Sequence, residues 1–515
     1  MSIGRAETIS LLGLEGHTVT VEAHLAHALP GFVLVGLPDA SLSESKERVR
    51  AAIASCGVTL PPRKIVVNLA PASLPKSGSG FDLGIAVAVM HAAGLLPSHQ
   101  ENAVFLGELS LDGTVHPIRG ILPALHAAYR QGRTVAYVPM GNAAEAQLVE
   151  DIDVRPVYHL SELATQLGAD FDVPVISPAP PQPPVKAPAP YSPAGAPGVK
   201  DLSDVLGQEN AKYALEVAAA GGHNLLLVGP PGTGKTMLAE RLPGILPELT
   251  STQSLEVTSL HSLSGTFDPS QGLIVTPPFE APHHTATPAA IVGGGSGTPR
   301  PGAASRAHHG VLFLDEAPEF SPRVLQTLRQ PLEGGSIVIQ RAAATAHYPA
   351  RFQVVLAANP CPCGNAIGKG DLCVCTSLQQ RRYFSRLSGP LLDRIDVQVE
   401  VLPTLVTGRP ATQETTATVK ARVQNARDRA TRRLLDTPWH TNAAVAGAWL
   451  RDLTGRAHPV MKELDRATDT GALTLRGADR ALRVAWTLAD LDGRDSPRVE
   501  HVHRAITLRM RGQGL

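Results

Sequence analysis

The eight residues that decide the fold of this chain are Gly229-Pro230-Pro231-Gly232-Thr233-Gly234-Lys235-Thr236. They follow the apolar run Leu225–Val228 and precede a helix-like stretch at 237–242, so the local order is strand, loop, helix. Glycines at this spacing let successive backbone N–H groups turn inward around a triphosphate. Lys235 can then reach the β- and γ-phosphates, and the Thr236 hydroxyl can bind Mg²⁺. The stretch therefore predicts a nucleotide-binding phosphate loop.

A second stretch indicates which kind of phosphate-loop protein this is. The strand-like run Val311–Leu314 ends in Asp315 and Glu316. One carboxylate in this position can hold Mg²⁺ beside Thr236, and the next can orient an attacking water. We assign the metal to Asp315 and the water to Glu316. An adjacent acidic pair favours a motor ATPase over a nucleotide kinase or GTPase, and the alternative is a strand that ends in a solvated acidic turn.

Composition limits the remaining classes. The chain has 515 residues, which is enough for two or three domains. Its 46 basic and 46 acidic residues balance, so no net charge attracts the whole protein to nucleic acid or membrane. There is no apolar run of membrane-spanning length and no signal pattern at the N-terminus, so we expect a soluble, cytoplasmic protein with no membrane partner. Five cysteines, four of them close together, favour a reducing compartment over a disulfide framework.

The order of segments predicts an α/β protein of several units. Residues 1–173 alternate strand-like and helix-like stretches. Residues 174–200 are too rich in proline and too poor in large apolar side chains to fold, and they predict an extended spacer. Residues 201–402 return to the strand-loop-helix order of a parallel sheet flanked by helices. Residues 403–515 become helical and basic.

Longer motifs carry a resemblance that extends over essentially the whole chain. They are GLPDASLSESKERVRAAIASCG, PPRKIVVNLAPASLPKSGSGFDLGIAVAV, PFEAPHHTATPAAIVGGGS, GVLFLDEAPEF, NPCPCG and SGPLLDRIDVQVE. In this order they resemble the YifB/ComM family of bacterial magnesium chelatase-like AAA+ ATPases. The resemblance implies a Lon-protease-like N-terminal domain, an AAA+ core of the branch that also holds magnesium chelatase and MCM helicases, and a C-terminal helical lid. It also implies a hexameric ring with ATP-driven activity on DNA, described for ComM as branch migration during natural transformation.

The resemblance assigns a role to Asn359 and another to Arg394. Asn359 matches the first sensor, a neutral amide that can hydrogen-bond the attacking water or a phosphate oxygen. The alternative is a loop asparagine at the turn before Pro360. Arg394 matches an arginine finger that reaches the nucleotide of the neighbouring subunit. The alternative for Arg394 is a structural ion pair with Asp393 or Asp396.

The lid offers a weaker assignment. Arg476 matches the second sensor of the family, a cofactor-binding arginine. An exposed arginine at a helix start explains Arg476 nearly as well, and Arg483 competes for the role.

The cysteines Cys361, Cys363, Cys373 and Cys375 leave two interpretations open. Four thiolates are enough to close a tetrahedral zinc site, although the C-x-C spacing is tighter than usual. The alternative is a set of reduced thiols in a loop. Cys56 follows an alanine-rich stretch and predicts buried packing.

Histidine pairs and a hairpin add weaker signals. The pairs at 283–284 and 308–309 do not share ligand spacing on one element, so a metal site is the less favoured interpretation. We expect residues 278–301 to form a mobile insertion that faces the pore of the ring. Residues 335–348 predict a hairpin in which Arg341, His347 and Tyr348 offer charge and a stacking surface to DNA.

The N-terminal domain is predicted to lack proteolytic activity. At the positions that match the serine and lysine of Lon-type proteases, this chain carries Asp82 and Leu122. An aspartate is not usefully acylated there, and a leucine accepts no proton. The nucleotide motifs together with the resemblance imply a Mg²⁺-dependent, ATP-hydrolysing ring motor that acts on single-stranded or branched DNA. A magnesium-chelatase motor subunit and an ATP-dependent protein unfoldase are the alternatives.

Overall fold

The computed structural model describes residues 3–36, 40–76, 78–97, 102–169, 200–295, 299–341, 345–366, 372–387, 389–403 and 413–510. Apart from Lys200, the predicted spacer at 174–200 lies outside these residues. No described helix is both long enough and apolar enough to cross a bilayer.

The N-terminal part is a mixed α/β unit built around a helix that is buried on nearly every side. One sheet has the order β1-β2-β4-β3, and a smaller parallel sheet has the order β5-β8-β9. Helix α3 packs on the first sheet and reads Asp-Leu-Gly-Ile-Ala-Val-Ala-Val-Met-His-Ala, apolar all round, as a helix enclosed by protein requires. The elements are β1 (Ile3–Leu12), β2 (Glu15–Ala26), β3 (Gly31–Val35), α1 (Ala40–Ser43), α2 (Ser45–Ser55), β4 (Lys64–Ala70), α3 (Asp82–Ala92), β5 (Ala103–Phe105), β6 (Glu108–Leu109), β7 (Val115–His116), α4 (Ile121–Arg130), β8 (Val135–Pro139), α5 (Ala143–Ala146), β9 (Asp153–Val157) and α6 (Leu160–Gln166).

The central part is a five-stranded parallel sheet with helices on both faces, as the sequence predicts. Its order is β11-β14-β17-β10-β18, and its three inner strands are fully buried because both faces are covered. The elements are α7 (Glu209–Gly221), β10 (Leu225–Val228), α8 (Lys235–Ala239), α9 (Leu242–Ile245), α10 (Ser251–Ser264), β11 (Phe279–Glu280), α11 (Pro288–Val292), β12 (Gly293–Gly294), β13 (Arg300–Pro301), α12 (Ala303–Arg306), β14 (Val311–Leu314), α13 (Pro322–Thr327), α14 (Arg329–Gly334), β15 (Ser336–Gln340), β16 (Thr345–Pro349), β17 (Gln353–Ala358), α15 (Ser377–Ser385), α16 (Gly389–Leu392) and β18 (Val397–Glu400).

The C-terminal part is helical and packs against the sheet through one core. Helix α20 is its centre and contacts α17, α19 and α21, while α21 also reaches β18. The elements are α17 (Thr416–Arg433), α18 (Gly447–Thr454), α19 (Pro459–Asp469), α20 (Leu475–Leu491) and α21 (Val499–Met510). Apolar residues of α20 and of β10 and β18 belong to the same buried cluster, so movement of these helices is mechanically linked to the sheet.

The N-terminal part contacts the central part directly through helix α10. Leu255 of α10 and the nearby Leu273 pack against an apolar cluster that contains Ile121 and Leu125 of α4. Beside them, the buried Glu145 accepts hydrogen bonds from the Ser262 hydroxyl and, at 3.2 Å, from the Leu122 backbone N–H. Burial raises the pKa of Glu145. This contact joins the two parts without relying on the proline-rich segment between them.

The predicted hairpin forms, but one of its expected DNA-facing residues does not face solvent. Strands β15 and β16 pair antiparallel, with Ile337 opposite Tyr348. The Tyr348 ring is 2% exposed, and its hydroxyl donates to the Pro299 carbonyl at 2.6 Å. The expectation that Tyr348 offers a stacking surface is wrong, because strand alternation directs it into the core while His347 points outward.

Candidate nucleotide site

The phosphate loop follows β10 and ends where α8 begins at Lys235. Gly232 and Gly234 have φ of +78° and +91°, and a Cβ at either position would meet no atom within 4 Å. Glycine is therefore required there by backbone conformation rather than by crowding. The open space beside both glycines is what a phosphate cradle needs.

Lys235 is held at the loop by oxygen atoms. Its ammonium donates to the carbonyls of Gly229 at 2.6 Å and Pro230 at 2.7 Å, and to Asn359 Oδ1 at 3.1 Å. Burial lowers the pKa of Lys235, while the charges of Asp315 and Glu316 oppose that shift. A cation kept in place by carbonyl groups can exchange them for phosphate oxygens without moving far.

The acidic pair lies beside the phosphate loop, as predicted. The Thr236 hydroxyl donates to Asp315 Oδ2 at 2.7 Å, so the two expected Mg²⁺ ligands are already adjacent. Hydroxyl and carboxylate oxygens are the ligands that Mg²⁺ prefers, and the residues fit the ion. Glu316 has φ of +50°, and its side chain is half exposed. A half-exposed carboxylate at the open side of the site is able to orient a water.

Asn359 stands between these two elements. It follows β17, which lies between β14 and β10 in the sheet, and it contacts Lys235 as described above. The structure thus brings the phosphate loop, the acidic pair and the predicted first sensor together at the carboxyl ends of three adjacent strands. These are the strand ends at which α/β proteins bind ligands.

His284 was not assigned to the nucleotide site from sequence, yet its Nδ1 lies 3.5 Å from Glu316 Oε2. The sequence pattern shows only a histidine pair in a proline-rich stretch. The contact arises because β11 places this stretch next to β14, which ends at Glu316.

Arg394 lies at the opposite ends of the strands, where the strands begin. Its carbonyl accepts from Asn224 Nδ2 at 2.9 Å, and Asn224 immediately precedes β10, whereas the phosphate loop follows it. Five residues of strand at about 3.3 Å each separate Asn224 from Gly229, roughly 16 Å. That distance is well beyond the reach of an arginine side chain, so Arg394 does not reach the phosphate loop of its own chain.

The side chain of Arg394 has an ionic partner other than the Asp393 or Asp396 named in the alternative interpretation. It pairs with Glu333 of α14, whose side chain is 64% exposed. Asp396 pairs with Arg480 instead, and His223 and Arg480 hold the pKa of Asp396 below its ordinary value although burial opposes them. Glu333 had no motif to mark it, because the contact joins residues far apart in sequence.

Arg476, the predicted second sensor, lines the same cavity as Arg394. Arg476 is exposed at the first turn of α20, while Arg480 and Arg483 line the cavity from the following turns. Burial lowers the pKa of Arg483. All three arginines therefore lie with Arg394, away from the phosphate loop of the same chain.

The cysteine residues divide as expected. The sulfur atoms of Cys361, Cys363, Cys373 and Cys375 lie within 4.8 Å of one another. Cys56 is fully buried in the N-terminal core, its Sγ lies 3.3 Å from the Ala52 carbonyl, and burial raises its pKa to about 11.

A second cluster, Glu256 with His308 and His309, has a hydrogen-bonding explanation. The Arg351 backbone N–H donates to His308 Nδ1 at 3.0 Å, so the proton of the neutral ring is on Nε2. That Nε2–H faces Glu256 Oε2 at 3.1 Å and has no lone pair for a metal. In this tautomer His308 cannot act as a metal ligand through Nε2.

The positions matched to a protease dyad carry packing residues. Asp82 is buried and accepts from Arg48 Nε at 2.7 Å and from the Leu109 N–H at 3.2 Å. Leu122 is fully buried in α4. Both side chains are fully buried.

The fold and the site define a class, a P-loop ATPase motor of the AAA+ type, in which a phosphate loop, an acidic pair and a polar sensor follow adjacent parallel strands. Family models described as "Magnesium chelatase, subunit ChlI", "Subunit ChlI of Mg-chelatase" and "Magnesium chelatase, subunit ChlI C-terminal" match residues 201–408, 21–142 and 413–509. An uncharacterized protein of Mycobacterium tuberculosis is 48% identical, with 99% of each chain covered. Competence protein ComM of Haemophilus influenzae is 39% identical over 99% of this chain and 98% of its own. The uncharacterized protein YifB of Escherichia coli is 38% identical over 99% and 97%.

The chain belongs to the YifB/ComM family of magnesium chelatase-like proteins. It also resembles Lon protease of Mycolicibacterium smegmatis, at 26% identity over 31% of this chain and 22% of that protein.

Proposed function

We propose that this protein is a ring-forming, Mg²⁺-dependent ATPase that remodels single-stranded or branched DNA, with branch migration of incoming DNA during natural transformation as its role. The observation that carries the proposal is the placement of Arg394 at the ends of the strands opposite the phosphate loop. An arginine there completes an ATP site only when a second copy of the chain supplies the phosphate loop. Similarity to a competence protein supports DNA as the substrate.

The residue roles follow from chemistry and contacts. Lys235 and the loop residues would bind the phosphates, and Thr236 with Asp315 would hold Mg²⁺, which would neutralise charge on the phosphates. Glu316 would orient the attacking water and accept its proton. Asn359, already hydrogen-bonded to Lys235, would keep the ammonium and the water aligned.

The other subunit would contribute cations to the same reaction. Arg394 and Arg476 line one cavity, so we propose that both reach the nucleotide of the neighbour. Charge that develops on the γ-phosphate oxygens would then be covered by a guanidinium that is absent from an isolated subunit. A closed, hexameric ring would provide every ATP site with such a neighbour.

Local rather than global charge would contact the DNA. The basic helix α17 is mostly committed to internal partners: Arg422 pairs with Glu216 and Glu414, and Arg433 pairs with Asp490. Arg341 is exposed at the end of β15, and His347 is exposed on β16. We therefore propose that the hairpin, rather than α17, faces the DNA.

We also propose that the chain divides into a non-proteolytic Lon-like domain at 1–173, a linker at 174–200, an ATPase core at 201–402 and a helical lid at 403–515. The buried ion pair of Asp82 and the buried Leu122 support the absence of a serine–lysine dyad at the matched positions. The N-terminal domain would then act as a scaffold of the ring.

A synthetic four-way DNA junction tests the proposed function. Full-length protein with ATP and Mg²⁺ should convert the junction to duplex products, and protein without ATP or with Lys235→Ala should not. ATPase stimulation separates the alternatives: DNA should raise turnover, whereas a porphyrin-binding partner subunit or an unfolded protein should not. If turnover responds only to one of those two, the motor acts on that substrate and the DNA proposal is wrong.

A further inference from the structure

The four-cysteine cluster has the geometry of a site for one metal ion. The Sγ–Sγ distances are 3.3 Å for Cys361–Cys363, 3.6 Å for Cys361–Cys373 and 3.7 Å for Cys363–Cys373. Four sulfurs bound to zinc at about 2.3 Å in a tetrahedron are about 3.8 Å from one another. The thiols already stand near these separations, although they come from two stretches of the chain.

The donor set selects the kind of ion. Thiolates are soft ligands that favour zinc or iron over Mg²⁺, which prefers oxygen. All four sulfurs lie within reach of a single centre, and the cysteines are free rather than disulfide-bonded. A closed set of four thiolates leaves no open coordination position and is typical of a structural zinc site.

The first arm of the cluster contacts the phosphate loop. Cys361 follows Asn359 by two residues, and the Gly364 N–H donates to the Cys361 carbonyl at 3.0 Å to close a turn. Gly364 has φ of +80°, and a Cβ on it would lie 2.6 Å from Pro231 Cδ. The turn that carries two of the thiols therefore rests directly on the loop that would bind phosphate.

The second arm returns to Asn359. Cys373 accepts from Gln380 of α15 at 3.4 Å, and Thr376 caps the same helix by accepting from the Gln379 N–H at 3.3 Å. Tyr383 of α15 is 4% exposed, and its hydroxyl interacts with the backbone of Asn359. Both arms of the cluster thus converge on the residue that contacts Lys235.

We propose that Cys361, Cys363, Cys373 and Cys375 bind one Zn²⁺ and that this ion positions Asn359 and Pro231 for ATP turnover. Thiol–thiol contacts between the two arms are weak, so the free energy of zinc binding would also order the arms. The cysteines are positioning residues and do not touch the nucleotide. The turnover part of the inference rests on the proposed ATPase function, whereas the metal part does not.

The metal part is tested on full-length protein purified under reducing conditions without chelators. Metal analysis should find close to one zinc per chain and no comparable iron. Cys363→Ser should lose most of the zinc, and Cys375→His, which keeps four ligands, should retain it. Cys56→Ser is the matched control, because that buried thiol is in the N-terminal core and its hydroxyl replacement can still donate to Ala52. Folded protein of full stability that contains no zinc, or that contains iron, overturns the site.

The positioning part is tested on the same samples by ATP affinity and turnover. Loss of a supporting shell around a site costs about tenfold or more in activity, so Cys363→Ser should show at least that loss while Cys375→His recovers turnover. If Cys363→Ser is insoluble, wild-type protein stripped of zinc by a chelator and then reloaded replaces it. Zinc loss without a change in ATP affinity or turnover overturns the coupling. A Cys56→Ser protein that carries zinc but hydrolyses no ATP would instead contradict the proposed function and leave the metal site standing.

Discussion

Replacement of Arg394 by alanine separates a shared ATP site from a structural ion pair. The structure offers both explanations for this arginine, because its side chain pairs with Glu333 while its backbone lies at the ends of the strands opposite the phosphate loop. A structural ion pair predicts a small loss in the free energy of unfolding, whereas a shared ATP site predicts a large loss in ATP turnover.

For Arg394→Ala, the expected loss of stability is small and the expected loss of ATP turnover is large. The Glu333 side chain is 64% exposed and the Arg394 side chain 11%, so the ion pair contributes about 1 kcal/mol to the free energy of unfolding. A missing arginine finger lowers turnover on the order of a thousandfold, the low end for such residues, or about 4 kcal/mol in the barrier. Arg394→Ala should therefore bind ATP, keep nearly all its stability and lose almost all hydrolysis.

Glu333→Gln is the matched control. It removes the same ion pair and keeps the guanidinium, so turnover should remain within a few-fold of the native rate. Thermal unfolding of both variants separately measures how much the ion pair contributes to stability. Equal loss of turnover in Glu333→Gln and Arg394→Ala would mean that the ion pair, not the finger, is what hydrolysis needs.

Mixing two inactive variants tests whether the finger acts between subunits. Arg394→Ala retains its phosphate loop, and Lys235→Ala retains its finger, so only a mixed ring contains an interface with both. With random assembly at equal amounts, about one quarter of the interfaces in a ring should be complete. The ATPase rate should therefore rise to a maximum near equal mixing. If the mixture never exceeds the weighted sum of the two variants, despite verified co-assembly, the ring mechanism is wrong.

The remaining predictions use the same preparations. Lys235→Ala should abolish productive nucleotide binding, whereas Glu316→Gln should keep binding and stall hydrolysis, because the first contacts phosphate and the second orients water; normal turnover in either contradicts the assignment. No peptidase activity on casein is expected with ATP, and Asp82→Ala should lower the free energy of unfolding by about 3 kcal/mol because the Arg48 charge loses its buried partner. Cleavage that persists in Asp82→Ala would mean that the dyad has been misplaced. Burial lowers the pKa of His261 from 6.5 to about 4. The unfolded chain then binds the His261 proton more tightly than the folded chain. The contribution of His261 to the free energy of unfolding is therefore fully present above pH 6.5, and it falls by roughly 3 kcal/mol as the pH drops to about 4. Urea unfolding at both pH values measures this, and a His261→Gln variant with an unchanged pH dependence would refute it.

Local spacing in the sequence determined the elements of the candidate nucleotide site. The phosphate loop is a contiguous motif whose glycines impose their own backbone conformation, and the acidic pair is marked by the apolar strand before it. The apolar face of α4 (Ile121–Arg130) is likewise a local property, because it follows the 3.6-residue period of a helix. The hairpin at β15 and β16 was predicted from two extended runs that flank residues 342–346, which is also a local pattern.

Only the tertiary structure decided which distant side chains meet. The parallel pairing of β10 and β18 places Arg394, which precedes β18, and the phosphate loop, which follows β10, at opposite ends of these strands. Local periodicity carries no information about which strands pair. The contact of Gly364 with Pro231 and the pairing of Arg394 with Glu333 join segments more than sixty residues apart or on separate elements. Tyr348 is buried because its face of the hairpin joins a core cluster with distant residues such as Ile291 and Leu312, which the local pattern of β16 cannot specify. The local sequence determines which helix, strand or turn each segment can form. The packing of the segments depends on all of them at once, and it determines which charges are paired and which remain available for catalysis.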